Sequence, residues 1–261
     1  MCYTTKMNLD SNKKTILVFS DPHQEIDRVE YILKKENYDI VVCLGDWFDS
    51  FTHDSEYDVE KTCKFLKKWI FKENFFTCIG NHDISYLNNN PTTICSGYDR
   101  SKDVFISDCL GNFLSPIRDK FQWYIFIDDF LCSHAGINTY HFDPMMEVTK
   151  DGITKWLDKQ IKVADIKLID GEYHWLYGAG AARGGRQNIG GITWQDFSAE
   201  FEPIEEVKQL VGHTSNNTII PHHTEGSLDP NDWKNIDIDC HLSEYLLITN
   251  NKITIKKFID L

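Results

Sequence analysis

The sequence has no long apolar run. Its longest unbroken apolar stretches, such as residues 16–19 and 40–44, contain only four or five residues. A membrane-spanning helix needs about 20. The residues before Thr15 contain no apolar core, so they do not resemble a secretory signal. We therefore expect a protein with no membrane-spanning segment and no membrane partner.

Positive charge is also scarce. The chain carries 27 lysines and arginines against 40 aspartates and glutamates, a formal net charge of −13. Proteins that bind nucleic acid or anionic membranes without sequence preference depend on an excess of positive charge. The acidic balance argues against broad nucleic-acid binding, although it leaves room for a small basic pocket.

The eight cysteines include no CxxC pair. A thiolate zinc site or a dithiol redox motif is therefore not expected. Cys43, Cys78 and Cys132 lie within or at the end of apolar runs, which predicts buried free thiols that pack as small hydrophobic groups. With no signal sequence, the reducing cytoplasm is the expected location.

What the sequence does contain is typical of a soluble globular protein: 261 residues, 41% hydrophobic and 26% charged. Apolar runs at 15–20, 40–44 and 75–79 predict strands, and apolar residues at helical spacing between them predict helices. Such alternation indicates βαβ units and a parallel sheet. A hairpin is predicted over 124–133, a helix around 153–161, and strands at 207–211, 218–220, 236–239, 245–249 and 253–257.

The predicted architecture is α/β (α+β): two packed mixed sheets with helices outside, in one domain over residues 1–261. Residues 1–14 are expected to form a flexible N-terminus. The polar segment 88–111 is predicted to be a surface excursion, and 177–191, with six glycines and two arginines, a loop.

A cluster of polar residues follows each of five predicted strands. The clusters are Asp21-Pro22-His23, Gly45-Asp46-Trp47-Phe48-Asp49, Gly80-Asn81-His82-Asp83, Ser133-His134 and Gly212-His213. Ligands of open parallel sheets bind beyond the carboxyl ends of the strands. The five clusters are therefore expected to converge on one place.

The residue types in these clusters suit metal ions. Carboxylate oxygen, imidazole nitrogen and amide oxygen are donors for Mn²⁺, Fe or Zn²⁺. Two ions roughly 3.5–4 Å apart need a bridging carboxylate, and Asp46 is the natural bridge. Asp-x-His alone is a common turn and Gly45-Asp46 alone is a weak signal, whereas Gly-Asn-His-Asp is more specific. Five such clusters in order, each after an apolar run, predict a two-metal centre.

In these motifs the sequence resembles the calcineurin-like metallophosphoesterases, whose pattern is DxH, GDxxD, GNH with D or E, a histidine after a strand, and a late GH. The segments 133–137 and 211–214 are most similar to the branch of phosphoprotein phosphatases and diadenosine tetraphosphatases. The resemblance implies a four-layer αββα sandwich and hydrolysis of phosphate esters with two divalent ions, manganese first and iron or zinc as alternatives.

The resemblance also implies residue roles. Asp21 and His23 would bind the first ion and Asp46 would bridge both. The second ion would take Asn81, His134 and His213. His82, held by Asp49, would donate a proton to the leaving oxygen, as a histidine oriented by a carboxylate does in general acid catalysis.

One position departs from the branch, in which an arginine that binds phosphate follows the second aspartate of GDxxD. Here that position is Ser50. The glycine-rich loop offers Arg183 and Arg186 as replacements, because backbone N–H groups and a planar guanidinium can both bind phosphate. The predicted phosphate-binding residues are Arg183, Arg186, Asn81 and His82.

Three functions are compatible with these features. The first is a phosphomonoesterase acting on a phosphoprotein, a nucleotide or another small phosphoester. The second is a nucleotide phosphodiesterase or pyrophosphatase, such as a diadenosine tetraphosphatase, on the same scaffold. The third is a protein-binding module that kept the fold and lost activity, which the complete set of ligand residues disfavours.

Overall fold

The computed structural model describes residues 7–88, 90–111, 115–142, 147–223 and 226–259. In these residues two six-stranded sheets form, in the orders β12-β11-β2-β3-β4-β5 (the first sheet) and β1-β6-β7-β8-β10-β9 (the second sheet). The strands are β1 Asn8–Leu9, β2 Ile16–Phe19, β3 Ile40–Cys43, β4 Phe75–Cys78, β5 Phe121–Gln122, β6 Ile125–Ile127, β7 Phe130–Cys132, β8 Lys208–Val211, β9 Ile220–Pro221, β10 Asn235–Asp237, β11 Glu244–Thr249 and β12 Lys252–Lys257. The helices are α1 Ile26–Lys35, α2 Glu56–Trp69, α3 Asn81–Tyr86, α4 Arg100–Leu110 and α5 Lys150–Ile169.

The first sheet has the parallel centre that the sequence predicts. Strands β2, β3, β4 and β5 pair in parallel, with Ile16 opposite Ile40 and Val41 opposite Phe75. Strands β11 and β12 extend the sheet in antiparallel pairing. The carboxyl ends of β2, β3 and β4 therefore lie along one edge, which is where the polar clusters follow.

The two sheets pack face to face through apolar side chains. In β2, Ile16 and Val18 belong to the same buried cluster as Ile125 of β6 and Leu210 of β8 in the second sheet. Successive residues of a strand point to opposite faces. This alternation buries one face of β2 between the sheets and leaves the other for the helices.

The outer faces are covered by helices. Leu17 of β2 shares a buried cluster with Val29 of α1 and Leu66 of α2. On the second sheet, the hydroxyl of Tyr124 donates to Asp158 of α5 at 2.8 Å. The order helix, sheet, sheet, helix confirms the predicted mixed-sheet αββα architecture. None of the helices in the described ranges is both long and apolar enough to cross a bilayer.

Two sequence-based expectations need correction. Segment 88–111 contains helix α4, whose Ile106 and Leu110 are buried against the core. Only these two residues of the helix are buried, so its apolar pattern is too weak to read from the sequence. Within the predicted flexible segment 1–14, β1 pairs with β6: the N–H of Phe126 donates to the carbonyl of Met7, just before β1, and that of Asp128 donates to the carbonyl of Leu9. Residues 1–6 lie outside the described ranges. That residues 1–261 form one domain stays a prediction.

Candidate metal centre and active site

All five polar clusters meet at one edge of the sheets. The side chains of Asp21, His23 and Asp46 place one possible ligand atom each within 4.8 Å of one another, and Asp46, His134 and His213 do the same. Asp46 is common to both groups. With Asn81, these residues are called the ligand cluster below. The structure brings together all six side chains that the sequence predicts as metal ligands, with Asp46 between the two groups.

The backbone at the ligand cluster is strained. Asp21, His23, Asp46 and His213 are non-glycine residues with φ of 53°, 39°, 60° and 71°. Such left-handed conformations cost of order 1–3 kcal/mol each and persist only when the surroundings hold them. Hydrogen bonds between the strand-end turns do so, since the N–H of His23 donates to the carbonyl of Asp46 at 3.0 Å.

Glycines let the side chains of the ligand cluster pass close to the backbone. A Cβ at Gly80 would overlap the carboxylate of Asp46, and one at Gly212 would overlap that of Asp21. Gly45, with φ of 106°, lies against the backbone of Gly80. These close approaches explain why glycine precedes Asp46, Asn81 and His213 in the sequence.

Two histidines of the ligand cluster are oriented by backbone carbonyls. His23 Nδ1 lies 2.9 Å from the carbonyl oxygen of Phe48, and His134 Nδ1 lies 3.0 Å from that of Leu44. A carbonyl only accepts, so Nδ1 carries a proton and Nε2 is the ring nitrogen left to bind a metal ion. Metal-binding histidines are commonly fixed in this way.

The Nε2 atom of His134 faces three groups that can each accept a hydrogen bond. His134 Nε2 lies 3.2 Å from His213 Nδ1, 3.3 Å from an oxygen of Asp46 and 3.0 Å from Asn81 Oδ1. The same amide atom of Asn81 lies 2.9 Å from His213 Nδ1 and 3.2 Å from an oxygen of Asp46, so as a nitrogen it donates to these groups and as an oxygen it can bind a metal ion beside them. Buried acceptors repel one another unless a cation or a proton lies among them. The donor set therefore fits a metal ion.

The pKa values of two members of the ligand cluster, His134 and Asp46, show how strongly opposite charges interact there. Burial opposes charge on His134, yet the carboxylates of Asp46 and Asp21 raise its pKa to about 9. Burial also opposes charge on Asp46, but His134 and His82 outweigh it and hold the pKa of that carboxyl well below its usual range. The surroundings of Asp46 thus favour positive charge beside an ionised carboxylate.

His82 and Asp49 form a second group next to the ligand cluster. The backbone N–H of His82 donates to Asp46 Oδ1 at 2.9 Å, and the ring Nδ1 of His82 lies 2.9 Å from Asp49 Oδ2. Burial disfavours the charged ring, but Asp46 and the hydrogen bond to Asp49 raise the pKa of His82 well above its usual value. With Nδ1 on Asp49, the Nε2 of His82 is the ring atom left for a substrate.

Two partners of Asp49 were not predicted from the sequence. The hydroxyl of Tyr86 donates to Asp49 Oδ1, and Lys102 Nζ lies 2.6 Å from the same oxygen. Together with the hydrogen bond from His82 they outweigh burial and lower the pKa of Asp49. Lys102 lies in the segment that was predicted to be a surface excursion, so no sequence signal pointed to it.

Asp83, the last residue of the Gly-Asn-His-Asp motif, had no role assigned from the sequence. Its carboxylate accepts from the N–H groups of Asp46, Trp47 and Gly80 at 2.8, 2.8 and 3.0 Å. It therefore ties the turn after β3 to the turn after β4. Those two turns carry the bridging carboxylate and His82.

The two arginines of the glycine-rich loop lie in different surroundings. Arg183 Nη2 donates to the carbonyl of His213 at 3.4 Å and to Thr214 Oγ1 at 3.2 Å, and its Nε lies 2.9 Å from Asp196. Arg186 is exposed. The structure brings Arg183 beside a member of the ligand cluster, and within the described residues Arg186 has no such contact. Phosphate binding by either arginine stays a prediction.

The loop around Arg183 is held by hydrogen bonds to Glu200. Its buried carboxylate accepts from the N–H groups of Ala182 and Gly190 at 2.8 and 2.9 Å. A Cβ at Gly180 would also overlap this carboxylate. The loop is thus anchored at both ends, with Arg183 directed to the site.

Comparisons with solved structures agree with the fold described above. A cold-active protein-tyrosine phosphatase of a psychrophilic Shewanella species is 18% identical, with a TM-score of 0.59 over 97% of this chain and 83% of that one. A protein serine/threonine phosphatase from Saccharomyces cerevisiae is 14% identical, with a TM-score of 0.57 over 98% and 84%. At these identities the likeness concerns the fold. A search of curated proteins gave no match.

The family comparison reaches further, because the family model for calcineurin-like phosphoesterases matches residues 14–237, well over half of the chain. The matched range includes the whole ligand cluster and the His82–Asp49 pair. The chain therefore belongs to the calcineurin-like phosphoesterase family and is a metal-dependent phosphoesterase.

Proposed function

We propose that the protein hydrolyses phosphate monoesters at a two-metal centre, with His82 as the general acid. The observation that carries the proposal is the sharing of Asp46 between two groups of ligand atoms, each within 4.8 Å. A single carboxylate common to two groups is the arrangement that a bridged pair of ions requires.

In this proposal Asp21, His23 and Asp46 hold one ion, and Asp46, Asn81, His134 and His213 hold the other. Manganese is the first choice, with iron or zinc as alternatives, because oxygen and imidazole donors suit all three. Such ions supply a water of lowered pKa and positive charge for the phosphoryl oxygens.

His82 then acts on the leaving group. An alkoxide leaves poorly unless it is protonated, and a histidine fixed by a carboxylate can supply that proton. The hydrogen bond from Nδ1 to Asp49 fixes the ring and leaves Nε2 as the donor. Asn81, His82 and Arg183 are the proposed phosphate contacts, with Arg186 in a supporting position.

The test is a panel assay of the purified protein with Mn²⁺. The substrates are p-nitrophenyl phosphate, bis-p-nitrophenyl phosphate, diadenosine tetraphosphate and a phosphopeptide. Preferred turnover of the monoester and the phosphopeptide supports the proposal. Preferred turnover of the diester or the tetraphosphate would assign the site to a phosphodiesterase or pyrophosphatase instead. No turnover of any substrate, with metal bound, would favour an inactive binding module.

The cytoplasmic location is part of the same proposal. Cys43, Cys78 and Cys132 are buried in the core as free thiols, and the Cys78 thiol donates to the carbonyl of Cys132. Thiols packed in this way suit a reducing compartment. Fractionation of the producing cells tests the location, and recovery in an oxidising compartment would contradict it.

A further inference from the structure

Lys102 is a nearly buried cation beside the His82–Asp49 pair. Its side chain is 11% exposed, and its Nζ lies 2.6 Å from Asp49 and 3.0 Å from Asp54. Helix α4 presents it because the carboxylate of Asp99 caps the helix, accepting from the N–H of Lys102 at 3.2 Å. A lysine this buried is rare without a partner.

The contacts of Asp49 are divided between its two oxygens. Oδ1 accepts from Lys102 and from the hydroxyl of Tyr86, whereas Oδ2 faces the ring of His82. The N–H of Asp49 donates to the side chain of Gln24 at 3.0 Å, which fixes the backbone as well. The two donors on Oδ1 leave Oδ2 as the only oxygen turned to His82.

Lys102 also neutralises part of the negative charge beside His82. Asp46 and Asp49 both lie close to His82, and position 50, where an arginine was expected from the family pattern, is a serine. Removal of Lys102 would leave Asp49 buried without its closest cation. A buried carboxylate that loses its partner either takes up a proton or turns toward another donor, and either change releases the ring of His82.

We propose that Lys102 is a positioning residue that holds the Asp49 carboxylate so that His82 keeps its proton on Nδ1 and presents Nε2 to the leaving group. The inference rests on the proposed function for its kinetic consequence only. Lys102 does not need to touch the substrate, since its Nζ is bound to Asp49 and Asp54.

The kinetic test compares Lys102→Met, Lys102→Arg and a matched control. Lys61→Met is the control, because Lys61 forms a similar ion pair with Asp27 between α2 and α1, away from the site. The substrates are a phosphoserine peptide, which has a poor leaving group, and p-nitrophenyl phosphate, which needs no proton.

For Lys102→Met we expect kcat on the phosphopeptide to fall roughly 10- to 100-fold, part of the usual contribution of a general acid. KM, metal content and kcat on p-nitrophenyl phosphate should stay within about threefold of the wild-type values, as the proton is not needed there. Lys102→Arg should recover part of the loss, and Lys61→Met should change neither substrate. Equal losses on both substrates, or no loss on the phosphopeptide, would overturn the proposal.

A spectroscopic test does not depend on activity. In the wild-type protein labelled with ¹⁵N-histidine, His82, identified with a His82→Asn variant, should show a protonated Nδ1 with a slowly exchanging, downfield proton. Lys102→Met should lose that signal and Lys61→Met should keep it; a signal that persists in Lys102→Met would overturn the proposal. Should Lys102→Met fail to fold, Lys102→Gln removes the charge and keeps a polar side chain. If the wild-type protein hydrolyses no substrate, the proposed function fails while this test still decides the role of Lys102.

Discussion

Around Asp46, buried imidazole, carboxylate and amide atoms that can accept hydrogen bonds lie 2.9–3.3 Å from one another. Around Asp49, in contrast, each carboxylate oxygen faces a hydrogen-bond donor. The two aspartates are three residues apart on the same turn, and both have left-handed φ angles, 60° and 62°. Their surroundings differ because different elements pack on each side: β7 and β8 bring acceptors to Asp46, and α3 and α4 bring donors to Asp49.

The half of the site around Asp46 and the half around Asp49 therefore depend on different partners. The backbone N–H of His82 donates to Asp46 Oδ1, but the side chains that face Asp46 are all possible metal ligands, so a cation completes that half. The hydrogen bonds of Asp49 are already satisfied within the protein, so the orientation of His82 does not depend on a bound ion. Metal binding and proton donation should therefore respond to different substitutions, and the following variants test that separation.

The largest effect is expected from Asp46→Asn. Loss of the shared carboxylate should weaken both ion sites and abolish turnover. For the wild-type protein, Mn²⁺ at a hundredfold excess over its Kd should add about 2.7 kcal/mol of stability for each occupied site, and each such increment corresponds to a rise in Tm of roughly 5–10 °C for a chain of this size. The variant should lose most of this rise. Asp27→Asn, an exposed aspartate, is the control, and an undiminished Tm rise in Asp46→Asn would show that Asp46 is not a ligand.

The second largest effect is expected from His82→Asn, in the half of the site around Asp49. His82→Asn should keep the metal content and the Mn²⁺-dependent rise in Tm. Turnover of a phosphoserine peptide should fall by roughly 10²–10⁴, the usual contribution of a general acid. The loss on p-nitrophenyl phosphate should be much smaller, because its leaving group needs no proton. Equal losses on both substrates would mean that His82 is not the acid.

Arg183→Ala should have an intermediate effect. Loss of one charge-assisted hydrogen bond of about 1.5–3 kcal/mol corresponds to a fall in kcat/KM of roughly 10- to 150-fold. Because Arg183 also contacts the carbonyl of His213, metal content must be measured in the same preparation. Arg183→Lys should recover only part of the activity, since lysine cannot form the two-pronged contact. If Arg183→Ala kept the wild-type kcat/KM, the loop would have a structural role only and Arg183 would not bind phosphate.

Arg186→Ala should have the smallest effect and serves as the matched control for Arg183→Ala. Arg186 is exposed on the same loop, and substitutions at such surface positions usually change free energies by less than ~0.5 kcal/mol, or about twofold. A fall in kcat/KM as large as that of Arg183→Ala would show that the loop moves Arg186 onto the substrate, and the difference inferred between the two arginines would be wrong.

Most strands were predictable because their signals are local. The runs that form β2, β3 and β4 are continuous, as expected for strands buried on both faces. Helix α4 was not predictable, because only Ile106 and Leu110 of its residues are buried. The short strand β1 is likewise defined by its pairing with β6, which is distant in the chain and leaves little trace in two residues.

The sequence by itself determined which residues could bind metal and in what order they follow the strands, because a strand end is set by its own apolar run and the glycine beside it. Only the tertiary structure decided how those residues share their partners. That Asp46 lies between two groups of lone pairs, that Asp83 ties two turns together, and that Lys102 reaches Asp49 all depend on segments far apart in the chain. The physical reason is that contact geometry and charge neutralisation arise from packing, which no local pattern of residue types records.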